Sequence, residues 1–145
     1  MNFTLIVCTY QRSKPLYRLL ESVTTQTLFP DQILIIDGSR DEETKTMLES
    51  SSFLNLEYFK VVENDRGLTK QRNFGLSKVD ANSDIICFLD DDIVLTPTYF
   101  QNLLSTYRKF PEALGVGGYI ANEIAWSKET KKEVRFNEFE YDGFK

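Results

Sequence analysis

The sequence predicts an α/β fold in which a mostly parallel sheet is covered by helices on both faces. Short apolar runs rich in β-branched residues take turns with segments of helical periodicity. The runs are nearly continuous in their apolar character, which is typical of strands buried on both faces. At 145 residues the chain has the length of one domain with a substantial core.

Five apolar runs are predicted to be strands. They cover residues 3–9, 32–37, 56–62, 84–89 and 114–120, and the last contains glycines. Because helices separate the strands, the connections cross over and the sheet is parallel. After Asn122 the pattern gives way to charged and aromatic residues without a clear period. We therefore expect an α/β domain over residues 1–121 and the start of a second region over residues 122–145.

Four helices are predicted to follow the first four strands. The first begins at Ser13-Lys14-Pro15, and the second at Ser39-Arg40-Asp41-Glu42, which has the form of a capping box. The third spans residues 69–78, where Gly75 weakens the helical propensity, and the fourth follows Thr96-Pro97. Apolar residues on one side of the first and fourth helices predict the faces that pack on the sheet. These residues are Leu16, Leu19, Leu20, Val23, Tyr99, Phe100, Leu103, Leu104 and Tyr107.

Composition excludes several classes of function. The chain has no histidine, which rules out Ser–His and Cys–His catalytic pairs and any zinc site built on histidine. The net charge of -5 argues against nucleic-acid binding, since such domains are usually basic. Cys8 and Cys87 lie inside apolar runs and are predicted to be buried, reduced thiols.

The first residues do not have the features of a signal peptide. The segment from Met1 to Cys8 lacks a basic region before its apolar run and a small-residue cleavage site after it. No apolar stretch approaches the roughly 20 residues that span a bilayer. We expect a cytoplasmic protein, free or at the inner face of the membrane, with no transmembrane segment in this chain.

Polar residues follow each of the first four strands, at the edge where parallel sheets bind ligands. They are Thr9-Tyr10-Gln11-Arg12, then Asp37-Gly38-Ser39, then Arg66, Gly67, Lys70 and Arg72, and finally Asp90-Asp91-Asp92. Together they offer an aromatic ring, hydroxyls, basic groups and a carboxylate cluster. These groups suit an anionic ligand that has an aromatic base and a bridging cation.

The carboxylate cluster of Asp90, Asp91 and Asp92 is the most informative of these features. Three adjacent carboxylates repel one another, and a divalent cation would relieve that repulsion. Oxygen ligands, few in number, favour Mg²⁺ or Mn²⁺ shared with phosphate oxygens and water. The alternative is a solvated acidic turn that caps the next helix. The apolar strand that ends at Leu89 favours the ligand site.

Each remaining candidate also has a structural interpretation. Asp37 could accept a hydrogen bond from a base or could be a turn residue. Tyr10 could stack on that base or pack on the sheet edge. Lys70 and Arg72 could neutralise a diphosphate or could be solvated helix residues.

The order and spacing of four motifs over about residues 3–120 resemble those of the family-2 glycosyltransferases. The motifs are Thr9-Tyr10-Gln11-Arg12, Ile35-Ile36-Asp37-Gly38-Ser39, the segment from Asn64 to Gly75, and Phe88-Leu89-Asp90-Asp91-Asp92. The family commonly has asparagine where Gln11 stands and often a second acidic residue where Gly38 stands. The resemblance implies a Rossmann-like GT-A fold, a nucleotide-diphosphate sugar donor and inversion at the anomeric carbon.

The resemblance also implies roles for particular residues. Asp37 would read the base, most often uracil, Arg72 would lie near the phosphates or ribose, and Asp92 of the D-x-D motif would hold Mn²⁺ or Mg²⁺. The expected donor-binding residues are Thr9, Tyr10, Arg12, Asp37, Ser39, Gly67, Lys70, Arg72, Asp90 and Asp91. A UDP-sugar is the favoured donor, and a glycan or lipid-linked acceptor in polysaccharide biosynthesis is the expected partner.

The resemblance places the catalytic base well after the D-x-D motif. Glu123, Glu138 and Glu140 are carboxylates in that region, but none matches the family position, so we expect the base beyond Lys145. The fold would then be truncated, and the chain would hold the donor-binding half and be inactive alone. The aromatic-rich residues 133–145 could form a weak homodimer.

Two other functions fit parts of the sequence. The run Asp90-Asp91-Asp92-Ile93-Val94 matches the D-x-D-x-T/V motif of haloacid-dehalogenase-type phosphatases, in which the first aspartate is the nucleophile. That motif usually follows the first strand of the domain, whereas here three strands precede it. The second alternative is a non-catalytic nucleotide-binding module.

Overall fold

A four-stranded parallel sheet forms the centre of the fold. The computed structural model describes residues 1–118 and 120. Within these residues the strands are β1 (Phe3–Thr9), β2 (Gln32–Asp37), β3 (Leu56–Lys60) and β4 (Ile85–Asp90). Their order across the sheet is β3-β2-β1-β4, and all pairs are parallel. The order reverses between β1 and β4, which is the switch point where such sheets bind ligands.

Helices cover both faces of this sheet, as predicted. The described helices are α1 (Ser13–Thr24), α2 (Glu43–Glu49), α3 (Leu68–Leu76) and α4 (Tyr99–Lys109). Side chains of α1, α2 and α4 pack into one core, and α3 contributes to a second core on the opposite face. The apolar faces predicted for α1 and α4 are confirmed, because Leu16, Leu20 and Phe100 are completely buried or nearly so.

Close packing explains the glycine inside α3. A Cβ atom added at Gly75 would lie 2.8 Å from the Ile6 Cγ2 atom and 3.3 Å from the Ile36 Cγ1 atom. A contact as short as 2.8 Å is not tolerated by a real Cβ atom unless neighbouring atoms move. Glycine at this position therefore lets α3 approach β1 and β2 closely. The residue that weakened the helix prediction is therefore required by the packing of the helix on the sheet.

The fifth predicted strand, residues 114–120, is wrong for the part that the structure describes. Residues 114–118 form no strand, and Leu114 is fully exposed. A strand in this fold gains stability from ladder hydrogen bonds and burial, whereas these residues pair with no strand and only Val116 among them packs against the core. Gly115, Gly117 and Gly118 add the larger entropy cost of ordering glycine.

The predicted capping box at Ser39 is also wrong. Helix α2 begins at Glu43, and the side chain of its N-cap residue forms no capping hydrogen bond. Ser39 is buried, and its Oγ atom accepts a hydrogen bond from the Gln11 backbone N–H at 2.7 Å. The hydroxyl is therefore occupied by a tertiary contact that the local sequence pattern does not reveal.

Several other predictions differ at element ends or fall outside the described residues. Strand β3 ends at Lys60, and a short 3₁₀ turn follows over Glu63–Asp65. The boundary at residue 121 stays a prediction. Residues 122–145, with Glu123, Glu138 and Glu140, lie outside the described part of the chain. Within the described part, every helix is too short or too polar to cross a membrane.

Candidate functional site

A cavity of about 780 Å³ opens at the carboxyl ends of the strands. This volume is within the range typical of small-molecule sites. Its lining includes seven predicted residues, namely Thr9, Tyr10, Arg12, Gly67, Asp90, Asp91 and Asp92. It also includes Arg66, a strand-end candidate without an assigned role, and five residues that were not predicted, namely Cys8, Arg40, Glu63, Leu68 and Gln71. The cavity thus extends from the end of β3 to the end of β4.

The end of β4 holds two carboxylates around one arginine. The Arg12 Nη1 atom donates to Asp91 Oδ1 at 3.0 Å and to Asp92 Oδ2 at 2.9 Å. Asp91 also accepts a hydrogen bond from Thr9 Oγ1 at 2.8 Å. The Asp91 side chain is 7% exposed, whereas that of Asp92 is 49% exposed. Asp91 is therefore fixed from two sides, and Asp92 remains open to a ligand.

Three other predicted residues make contacts that do not involve Arg12. They are Asp90, Arg72 and Lys70. The Arg72 Nη2 atom is 3.6 Å from Asp90 Oδ1, and its guanidinium lies over the Phe88 ring at 5.6 Å. The Lys70 Nζ atom donates to the Asn64 carbonyl oxygen at 2.5 Å. Neither Arg72 nor Lys70 lines the cavity in this structure. Their contacts with donor phosphates stay predictions.

The end of β2 is closed by hydrogen bonds within the protein. Asp37 is completely buried, its Oδ1 accepts from the Ser39 backbone N–H at 2.7 Å, and its Oδ2 accepts from the Tyr58 hydroxyl at 2.9 Å. Burial, together with the bond to Asp37, raises the pKa of Tyr58 above its usual value. The hydroxyl therefore stays a donor at neutral pH. Asp37 and Ser39 do not line the cavity, and the role of Asp37 in reading a base stays a prediction.

Gln71 joins three of the segments around the cavity. Its Nε2 donates to the Thr9 carbonyl at 3.1 Å and to the Ile36 carbonyl at 2.8 Å. Its Oε1 accepts from the Gly67 backbone N–H at 3.2 Å. Gly67 has φ of 116°, a conformation that favours glycine. Gln71 lies in the motif from Asn64 to Gly75, but the sequence did not indicate these contacts, because they depend on distant backbone groups.

The end of β3 holds a second group of charges, of which the sequence had singled out only Arg66. The Arg40 Nη2 atom donates to Glu63 Oε1 at 3.4 Å, and the Arg66 Nη1 atom lies 3.3 Å from the same oxygen. The Arg66 Nε atom is buried and has no hydrogen-bond partner among the described residues. We call Arg40, Glu63 and Arg66 the Arg–Glu cluster. Exposed charges in loops are common, so no sequence pattern indicates that these three side chains converge.

The prediction of buried cysteines is confirmed for Cys87, but it is wrong for Cys8, which is only partly buried because it lies at the end of β1 and lines the cavity. Both are free thiols. Burial raises the pKa of Cys8 to about 11 and that of Cys87 to about 12. Nearby Arg72 lowers the pKa of Cys8 by less than burial raises it. Neither thiol is a nucleophile at neutral pH.

The carboxylates at the end of β4 could hold a hard divalent cation only if a bound ligand supplied further coordinating oxygen atoms. No group of three or more His, Cys, Asp or Glu side chains that could hold a metal occurs in the part of the chain that the structure describes. Asp91 and Asp92 nevertheless converge on one positively charged nitrogen of Arg12. A small cation could take the place of that nitrogen at Asp92, and phosphate oxygens and water would supply its other ligands.

The fold and this cavity define a doubly wound α/β protein with a cavity of ligand size at the reversal of strand order. The sequence model of Glycosyl transferase family 2 matches residues 4–144. The chain therefore belongs to glycosyl transferase family 2. This membership replaces the phosphatase interpretation of Asp90.

Two curated relatives show the breadth of the family. The chain is 26% identical over 122 residues to the glucosyl-dolichyl phosphate glucuronosyltransferase of Haloferax volcanii, a match that covers 83% of this chain and 38% of the relative. It is 32% identical over 96 residues to the O-antigen chain rhamnosyltransferase RfbN of Salmonella typhimurium, covering 66% of this chain and 29% of the relative. The chain thus spans well under half the length of either relative.

Solved structures confirm the GT-A fold. The crystal structure of residues 1–349 of TarS from S. aureus in complex with UDP has a TM-score of 0.63 to this chain at 26% identity. The match covers 75% of this chain and 32% of that one. The Rossmann-like GT-A prediction, with helices on both sheet faces, is therefore confirmed.

Proposed function

We propose that this chain forms the donor-binding half of a glycosyltransferase that moves a sugar from a nucleotide diphosphate to an acceptor hydroxyl. The observation that carries the proposal is the arrangement at the end of β4, where half-exposed Asp92 and Arg12 face a cavity of ligand size. Family membership supports the reaction class. The UDP bound by TarS supports a uridine nucleotide as the donor.

The residues at this end would handle the negative charge of the donor. Asp92 would bind Mn²⁺ or Mg²⁺, which as a Lewis acid would stabilise the charge on the departing diphosphate. Arg12 would then lose its bond to Asp92 and become free to donate to a phosphate oxygen. Thr9 and buried Asp91 would hold the ends of β1 and β4 together while Arg12 moves.

We further propose inversion at the anomeric carbon, as in a direct displacement by the acceptor hydroxyl. Such a step needs a carboxylate that takes the proton of that hydroxyl. The carboxylates that line the cavity are engaged with arginines or with Thr9, so we place the base outside the described residues. Residues 122–145 would begin the acceptor side, and the acceptor would be a glycan or lipid-linked glycan on the cytoplasmic side of the membrane.

Calorimetry with UDP tests this proposal directly. The chain should bind UDP in the presence of Mn²⁺, and a chelator should weaken binding at least tenfold. Asp92→Ala should remove the metal dependence without lowering the melting temperature of the free protein, because the side chain is half exposed. Glu49→Ala, an exposed change on α2, is the matched control and should bind UDP like the unmodified chain. Equal binding of UDP with and without metal would contradict the role of Asp92.

A further inference from the structure

We propose that Gln71 is a positioning residue that connects the Gly67 side of the cavity to the carboxylates after β4. The proposal rests on the donor-binding function above. It goes beyond that function because it states how Asp92, the carboxylate that would hold the cation, is kept in place.

Gln71 is a buried polar residue on the face of α3 that packs on the sheet. It is 4% exposed, and Gly75, one helical turn further on, is the other buried residue of this helix. The Nε2 atom donates to the carbonyl oxygens of Thr9 and Ile36, and Oε1 accepts from the Gly67 N–H. Both amide hydrogens are therefore used within the protein, and Gln71 acts on a ligand only through the residues that it holds.

A continuous series of hydrogen bonds runs from Gln71 to Asp92. Gln71 holds the Thr9 carbonyl, and the Thr9 Oγ1 atom donates to Asp91 Oδ2 at 2.8 Å. Arg12 then bridges Asp91 and Asp92 through its Nη1 atom. Gln71, Thr9 and Asp91 are buried, so water does not replace a bond that is lost between them. A displacement at Gln71 is therefore passed on to Asp91 and to the arginine that orients half-exposed Asp92.

Gln71 also fixes Thr9 relative to the neighbouring strand. The two carbonyl groups that share its amide belong to β1 and β2, and they lie 3.1 and 2.8 Å from the Nε2 atom. Without this amide, the Thr9 carbonyl would keep a second hydrogen bond, from the Gly38 N–H at 3.0 Å. We therefore expect the loss of the amide to shift Thr9 rather than to unfold the strand end.

Gly38 supplies the space that the Gln71 amide occupies. A Cβ atom added at Gly38 would lie 3.0 Å from the Gln71 Oε1 atom and 3.3 Å from its Cδ atom. These contacts are tight, and three hydrogen bonds resist movement of the amide. Gly38 does not have a positive φ, so alanine at this position introduces no backbone strain. Gly38→Ala therefore displaces the Gln71 amide without removing any of its hydrogen-bonding groups.

Calorimetry of UDP binding to the 145-residue chain, with Mn²⁺ and with a chelator, tests the proposal. The ratio of the two affinities reports how well Asp92 holds the cation. Gln71→Met keeps a side chain of similar length without its hydrogen bonds, and should lower this ratio about fivefold. Gln101→Met, at an exposed residue of α4, is the matched control and should leave the ratio unchanged.

A double-mutant cycle with Gly38 tests whether the amide itself carries the effect. Gly38→Ala should lower the ratio about threefold in the unmodified chain. It should leave the ratio unchanged in the Gln71→Ala background, because the amide that it displaces is then missing. If Gln71→Met does not fold, the ratio measured for Gly38→Ala decides, since that variant retains every group of Gln71.

The outcomes separate this inference from a structural role and from the proposed function. If the melting temperature of Gln71→Met falls but the ratio stays unchanged, Gln71 only stabilises the fold and the inference is wrong. It is also wrong if Gly38→Ala lowers the ratio equally with and without the Gln71 side chain. If UDP binding to the unmodified chain does not depend on Mn²⁺, the proposed function itself fails and this inference falls with it.

Discussion

Strands β2 and β4 both run from an apolar core to an aspartate, but their ends are built in opposite ways. At β2, Asp37 is completely buried, and its two oxygens accept hydrogen bonds from Tyr58 and Ser39. At β4, Asp92 is half exposed and forms an ion pair with Arg12, whose side chain is itself half exposed. One aspartate is satisfied by neutral donors within the fold, and the other by a half-exposed positive charge.

The difference shows how position decides what a strand-end carboxylate does. β2 has β1 and β3 on its two sides, so its end is surrounded by backbone and by the Tyr58 side chain. In the described sheet β4 is an edge strand beside the switch point, where solvent and ligands enter. We infer that Asp37 mainly stabilises the fold and that Asp92 mainly serves binding.

The largest effect on stability is expected at Asp37. Asp37→Ala leaves the Tyr58 hydroxyl and the Ser39 N–H without their acceptor, and should lower the free energy of unfolding by about 3 kcal/mol. Urea denaturation followed by circular dichroism measures this, with Asp92→Ala as the comparison at the β4 end. If Asp92→Ala destabilises the chain as much, the two ends are not built differently. If Asp37→Asn stays folded and loses a preference for UDP over CDP, Asp37 reads the base.

A smaller loss is expected at Tyr58. Tyr58→Phe removes one donor to buried Asp37 and should cost about 1 kcal/mol at neutral pH. Because the fold raises the pKa of Tyr58, its contribution is present below its ordinary pKa of about 10 and is lost as the pH rises above that value. The unmodified chain should therefore lose more stability between pH 9 and 11 than Tyr58→Phe. Parallel pH curves for the two proteins would contradict this assignment.

The β4 end should respond more weakly and in a way that metal can reverse. Arg12→Met leaves Asp91 and Asp92 without their shared cation and should lower the melting temperature by less than either change at the β2 end, because solvent screens half-exposed charges. Added Mn²⁺ should then raise the melting temperature of Arg12→Met more than that of the unmodified chain. Thermal melting without nucleotide checks this. Arg18→Met on α1 is the control, and an equal response to Mn²⁺ in all three proteins would show that Arg12 does not occupy a cation position.

The smallest effect is expected at Gln11, which connects the ends of β1 and β2. Gln11 has φ of 52°, and its backbone N–H donates to Ser39. Asparagine tolerates this left-handed conformation better than glutamine does, so Gln11→Asn should stabilise the chain by about 0.5 kcal/mol. Urea denaturation measures the change, with Gln101→Asn on α4 as a control for the side-chain type. A loss of stability in Gln11→Asn would show that the longer side chain matters more than the backbone conformation.

Much of the fold could be predicted from local pattern. The apolar runs predicted the bounds of β1, β2 and β4 to within a residue or two. Burial on both faces explains the continuous apolar sequence of β1 and β2. The prediction that β4 is also buried on both faces is wrong, because Ile86 and Phe88 are exposed on one face of this edge strand. The periodicity of Leu16, Leu20 and Phe100 gave the packed faces of α1 and α4. The two wrong predictions, a strand over residues 114–120 and a capping box at Ser39, came from short patterns whose outcome depends on distant partners.

The sequence by itself determined which segments form strands and helices, and it placed Thr9, Arg12 and the three aspartates at strand ends, since these follow from periodicity and from chain order. Only the tertiary structure decided what those ends do. The strand order β3-β2-β1-β4 puts Tyr58 over Asp37, brings Arg12 between Asp91 and Asp92, and gathers the Arg–Glu cluster from two separate loops. Apart from the contact between Glu63 and Arg66, these contacts join residues 21 to 80 positions apart in the sequence. Their energies depend on burial and distance, which a local sequence pattern does not contain.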